Sequence, residues 1–248
     1  MKRRYALHQV LLTRYVMDSK QVFFYMKFIQ QTIFMRLPFL FAVLLISNMG
    51  CAQSSNKKTG QDNIHVGGNC EGCEAIYESP IPFDSLKELC WLPDWNDKGK
   101  KLAINGVVYK ADGTPAPKVI IYVYHTDQTG VYPKKGDEKG WAKRHGYIRG
   151  WMRTNEKGEY KFFTLRPAAY PGRQAPEHIH VTIKEPDKNE YWIDEYLFDD
   201  DLILTDKERK NCQDRGGSGI IKMKDVGNML KAERNIYLGK NIPDYPKK

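Results

Sequence analysis

The 248 residues hold no apolar run long enough to cross a bilayer. The longest, Leu37 to Ile46, is ten residues, where a span needs about 20. Cysteine is scarce, at five residues. Cys70-Glu71-Gly72-Cys73 has no second Cys-x-x-Cys to complete a four-thiolate zinc site. No βαβ setting surrounds it, which argues against a thioredoxin-like role. Asp199-Asp200-Asp201 lacks the ligand spacing of a calcium loop and reads as a solvated turn. Basic patches interleaved with aromatics are missing too. The net charge of +9 is mostly local: the first fifty residues carry seven cations against Asp18 alone, leaving about +3 for the rest. A nucleic-acid partner is therefore not expected. There is no internal repeat, and one short helix candidate stands out, Ser85 to Leu89.

Residues 1–50 read as an export segment. Arg36, the short apolar core and small residues before Cys51 form a secretory pattern. Gly50-Cys51 followed by Ala-Gln-Ser-Ser is similar to a bacterial lipoprotein signal, although Asn48 stands where Leu is usual. That pattern predicts lipidation of Cys51 and an exported, membrane-anchored chain; translation would then start at Met26 or Met35. Residues 52–69 are polar and suit a flexible tether. The segment 51–98 is a tether plus a coil-rich, cysteine-bearing lead-in. The remaining Cys70, Cys73, Cys90 and Cys212 are an even set in an exported chain, so all four are disulfide candidates, with the pairing open.

From 99 to 240 the pattern is β, followed by a short tail, 241–248. Expected strands are 102–109, 119–125, 147–154, 159–165, 178–185, 191–198, 220–223 and 234–238. Asp112-Gly113 marks a hairpin turn and Asn155 to Gly158 another. The polar stretch 134–146 reads as a wet loop. Seven or eight short strands at turn-marked intervals predict an all-β sandwich.

Within this frame, His178-Ile179-His180 opens a strand. Residues two apart share a face, so the imidazoles stand side by side. Alone, the pair reads either as half a metal site or as two polar groups on a wet strand face. Tyr132 and Tyr170 sit in loops just past strands, where sites are commonly built.

Five blocks carry a family likeness: Gly106-Val107-Val108 with Asp112-Gly113; Thr126-Asp127 through Gly130-Val131-Tyr132; Gly150-Trp151 through Thr154; Gly158-Glu159-Tyr160-Lys161-Phe162; and Arg166-Pro167-Ala168-Ala169-Tyr170-Pro171 through His178-Ile179-His180. Together they resemble the intradiol ring-cleavage dioxygenases, which include catechol and protocatechuate dioxygenases. The resemblance implies one Fe(III) per domain bound by Tyr132, Tyr170, His178 and His180. It implies O2-dependent cleavage of an aromatic ortho-diol between its hydroxylated carbons, with Tyr170 displaced as the diol binds. The ligand set suits the metal: ferric iron is hard and favours anionic oxygen, and a bound cation lowers phenol pKa. The Arg that the family carries three residues before the first His is Ala175 here; Arg173 is the nearest substitute. A metal-free transthyretin-like or carboxypeptidase-regulatory-like binding module shares the strand-and-turn grammar and is the rival reading. An iron binder without turnover is a third.

Overall fold

The computed structural model describes residues 64–172 and 175–247. All belong to one compact unit, Lys57–Lys248. Cys51 and Arg173 lie outside the described residues. The fold is an all-β sandwich of two mixed sheets. The first contains β1 (Leu89–Trp91), β2 (Lys101–Tyr109), β5 (Glu159–Leu165), β10 (Lys224–Val226), β11 (Met229–Glu233) and β12 (Ile236–Tyr237), in the order β1-β5-β2-β11-β10, with β12 also pairing β2. The second contains β3 (Ile120–Tyr124), β4 (Arg149–Arg153), β6 (His178–Lys184), β7 (Glu190–Trp192), β8 (Tyr196–Phe198) and β9 (Ile220–Ile221), in the order β4-β3-β6-β8-β9, with β7 also pairing β6.

Alternation along the strands builds the core. Leu102, Ile104 and Val108 of β2 meet Ile121 and Val123 of β3 and Ile179, Val181 and Ile183 of β6 between the sheets. Each such side chain contributes about 1.5–3 kcal/mol by leaving water. With the odd residues of β6 turned inward, His178, His180 and Thr182 take the opposite face. The lead-in covers part of that face: Ala75, Ile76 and Leu86 pack on Ile120 and Tyr122.

Several expectations change. The Asp112-Gly113 turn is local and does not join a hairpin, because β2 and β3 belong to different sheets and β2 pairs β5 instead. The expected strand 191–198 is broken into β7 and β8, both paired to β6. The helix expected from Ser85 to Leu89 is a one-turn 3-10 segment, Phe83–Ser85, that leads into β1. The loop 134–146 contains the single-turn α1 (Ala142–His145), with His145 buried. The acidic run is engaged as well as wet. Asp199 pairs Arg209 on α2 (Asp206–Asn211), Asp200 pairs Arg166, and Asp201 accepts the Glu177 amide. Cys70 and Cys73 form a disulfide, while Cys90 and Cys212 are free thiols and not bridge partners. Among the described residues no helix is long and apolar enough to cross a membrane.

Candidate metal centre

The histidines reach the site on a strand. His178 Nδ1 meets the Pro176 carbonyl oxygen at 2.7 Å. A carbonyl only accepts, so Nδ1 carries the proton and Nε2 presents its lone pair. His180 Nδ1 lies 2.7 Å from Glu195 Oε1, which fixes the same tautomer. The two Nε2 atoms are 3.2 Å apart. Burial, then the neighbouring His180, pushes the His178 imidazole down, towards the neutral form a metal ligand needs.

The tyrosines arrive on two loops that hold each other. Asp127 Oδ1 accepts from the Thr129 amide (2.8 Å), the Thr129 hydroxyl (2.6 Å) and the Val131 amide (3.3 Å). That tight turn needs Gly130 at φ 78°. A Cβ there would sit 2.0 Å from the Ala169 carbonyl oxygen, so the loops touch backbone to backbone. The Thr126 hydroxyl donates to the Ala168 carbonyl at 2.6 Å, and the Ala168 amide to the Asp127 carbonyl at 3.1 Å. At the base of the second loop, Arg166 binds Glu177 at 2.6 Å and grips Asp200 bidentately, 2.9 Å per bond.

The result is a convergence of four donors. Tyr132 Oη is 2.7 Å from His180 Nε2 and in contact with Tyr170 Oη. Tyr170 Oη is 3.2 Å from His180 Nε2 and 3.1 Å from His178 Nε2. Spacings of about 3 Å are those of neighbouring donors around one small ion. Burial, reinforced by Tyr170, pushes the Tyr132 phenol well above its ordinary value. Without a cation, the Tyr132 phenol therefore keeps its proton among groups that also want to accept. A cation with a preference for oxygen and imidazole nitrogen fits this donor set.

Ala175 is half-buried in the segment just before the histidines. Sequence reasoning missed three supporting groups. Glu195 sits where the expected strand 191–198 breaks, and its clue was the acidic pair Asp194-Glu195 inside an apolar run. Burial alone would raise the Glu195 carboxyl, but the His180 hydrogen bond and the electrostatic pull of the neighbouring His180 and His178 outweigh it and hold it at about 2. Tyr124 is the cross-strand partner of His180 and stacks on it at 4.4 Å. His145 stacks on Tyr124 at 3.8 Å, with planes 5° apart. Burial, then the neighbouring His180, holds the His145 imidazole down at about 3, so it stays neutral. No local signal set these two apart from ordinary strand and loop residues.

A family model described as dioxygenase matches residues 83–226, more than half of the chain and all four converging donors. The chain belongs to the intradiol dioxygenase family. Within that family it is similar to the protocatechuate 3,4-dioxygenase beta chain of Burkholderia cepacia, 26% identical over 91 residues, 34% of this chain and 39% of the relative. Catechol 1,2-dioxygenase 2 of Acinetobacter lwoffii is 27% identical over 136 residues, 46% and 48% of the two chains. The chain thus spans less than half the length of these curated relatives. A single-site mutant of catechol 1,2 dioxygenase from Acinetobacter radioresistens superposes with a TM-score of 0.50 at 18% identity, covering 65% of this chain and 59% of that one. That likeness shows the intradiol dioxygenase fold.

Proposed function

We propose that this intradiol dioxygenase-family chain is a ferric enzyme that cleaves an aromatic ortho-diol between its hydroxylated carbons, placing both atoms of O2 in a ring-opened diacid. The observation that carries the reading is the convergence of Tyr132, Tyr170, His178 and His180. A metal-free binding module has no use for four donors packed this closely with both imidazoles locked in one tautomer.

These four residues would hold the iron, whose charge would keep the phenols and the diol ionised and open the diol to attack by oxygen. The chain's own groups do the rest. Pro176 and Glu195 keep both Nε2 atoms aimed inward. Tyr132 sits on the loop turned by Asp127 and stays in place. Tyr170 comes just before Pro171 and Gly172, both exposed, so it is the ligand placed to swing out. On leaving, Tyr170 Oη takes a proton from the incoming diol. Arg173 is the residue assigned to the anion that develops on the ring.

The test is oxygen uptake by iron-loaded protein with a panel of catechols and hydroxyquinols. Stoichiometric loss of O2 with a ring-opened diacid is expected. The loaded protein should be red-brown from phenolate-to-iron charge transfer. A colourless protein that holds no iron after expression with iron available would end the proposal. Colour without uptake would leave an iron binder. Export with lipid attachment at Cys51 is part of the same reading, supported by the Cys70–Cys73 disulfide, a bond typical of oxidising compartments. Cys51→Ser should release the protein from membranes; continued membrane association would overturn that part.

A further inference from the structure

A cavity of about 550 Å³ opens beside the centre, with His180, Tyr124 and Pro176 in its wall. It lies in the range of small-molecule pockets and has room for more than one bare ring. Its charge is one-sided. Glu71, Asp194, Glu195 and Glu208 line it, and no lysine or arginine does so among the described residues. The remaining polar lining includes the Asn211 and Gln213 amides, the Cys212 thiol and the His180 imidazole.

The cations nearby are committed elsewhere. Arg144 pairs with Glu71 at the surface, which offsets one carboxylate. Arg215 stacks on Trp192, 3.4 Å from the ring centroid, and donates to the Gly67 carbonyl. Arg209 is bound to Asp199. Glu195 is spoken for by His180. Asp194 accepts the Asp214 amide, and Arg234, which donates to the Asp194 backbone carbonyl at 2.7 Å, and Arg215 both act on its charge from behind. Among the described residues the lining therefore carries four carboxylates and no lysine or arginine, with Arg144, Arg215 and Arg234 offsetting part of that charge from outside it.

We propose that this cavity receives the ring substituent of the diol and selects against a negative one, so that the substrate is a neutral or cationic ortho-diol and not a carboxylated one. The inference rests on the diol-cleaving reading and names the substrate class for it. The physical ground is simple. A carboxylate brought into a partly desolvated cavity among carboxylates is repelled by every one of them, and an ammonium is attracted. The amides of Asn211 and Gln213 can accept from an ammonium or a hydroxyl. They cannot supply the paired cation that a buried carboxylate requires.

The experiment uses iron-loaded full chain and three diols of similar size: 4-ethylcatechol, 3,4-dihydroxyphenylacetate and 2-(3,4-dihydroxyphenyl)ethylamine. Binding is read from the change in the charge-transfer band, and turnover from oxygen uptake. The acid should bind and react at least about tenfold more weakly than the neutral diol, and the amine as well as or better than it. Glu208→Gln and Glu71→Gln, neither of which touches the centre, should each narrow the gap between acid and amine while leaving the neutral diol nearly unchanged. An acid handled as well as the neutral diol overturns the proposal, as do glutamine variants that leave the ratio unmoved. If none of the three diols perturbs the band, the diol-cleaving reading fails and takes this inference with it. If neutral diols react but show no charge discrimination, only this inference fails.

Discussion

Two of the four converging donors ride on a strand and two on loops, and the arms are built differently. The histidine arm inherits its geometry from a ladder. β6 is hydrogen-bonded on both sides, to β3 and to β7 and β8, and Ile179, Val181 and Ile183 anchor its other face in the core. Moving either imidazole means disturbing the sandwich. The tyrosine arm rests on a few loop contacts: the Asp127 turn, Gly130 against Ala169, and the Thr126–Ala168 bond. A rigid half and an adjustable half suit the proposed chemistry, in which one ligand leaves and returns.

The largest effect should come from the rigid half. His180→Ala removes the donor in contact with both tyrosines, and its site faces outward, away from the core. Iron content should fall below a tenth of an equivalent by elemental analysis, with thermal unfolding little changed. Iron retained at one equivalent would mean that the histidine pair is not the metal arm. The next effect comes from the adjustable half. Gly130→Ala adds a Cβ 2.0 Å from a backbone carbonyl oxygen, at a positive φ. It should cost about 1–3 kcal/mol of stability and move Tyr132. Because the histidine arm is untouched, a colourless metal should still bind through it. The variant should keep partial iron or zinc affinity while losing most of the charge-transfer colour. Full colour would show that the loop contact does not place Tyr132.

The same contrast decides what could be read from the sequence. A period-two pattern puts His178 and His180 on one face, so their side-by-side placement was legible from spacing alone, but not what the pair is for. The two tyrosines were legible only because whole motif blocks resemble a family. Nothing in the period or composition brings Tyr132 to Tyr170, since their meeting depends on a backbone contact at Gly130. The strands with β-branched runs were legible as well. Their sheet assignment was not: Asp112-Gly113 signals a turn without saying which sheet the next strand will join. β11, Met-Leu-Lys-Ala-Glu, was missed because its residues have weak strand preference, and it is held by its parallel pairing to β2. With Cys51 set aside the remaining cysteines were an even set, yet Cys90 and Cys212 are free. A count carries no distances. Glu195 was hidden because an acid in an apolar run was read as part of a continuous strand, where the chain in fact leaves the ladder between β7 and β8.

Glu195 gives the smallest and sharpest test of the comparison, because it supports the rigid arm without being one of the four donors. Its carboxylate accepts from His180 Nδ1 at 2.7 Å, and this does two things: it orients the ring and it raises the electron density at Nε2. Glu195→Gln keeps an oxygen acceptor of the same reach but removes the charge; Glu195→Ala removes both. If orientation dominates, the glutamine variant should bind iron almost as well as the parent, and only the alanine variant should weaken, by about 10–100-fold. If charge matters as well, the glutamine variant should already lose about tenfold, and its charge-transfer band should shift as the donor weakens. The negative charge is expected to matter, because burial opposes an ionised Glu195 and the imidazoles still hold it ionised. Iron affinity unchanged in both variants would show that Tyr124, stacked on the ring at 4.4 Å, and the ladder alone fix His180, and that the rigid arm needs no partner behind it.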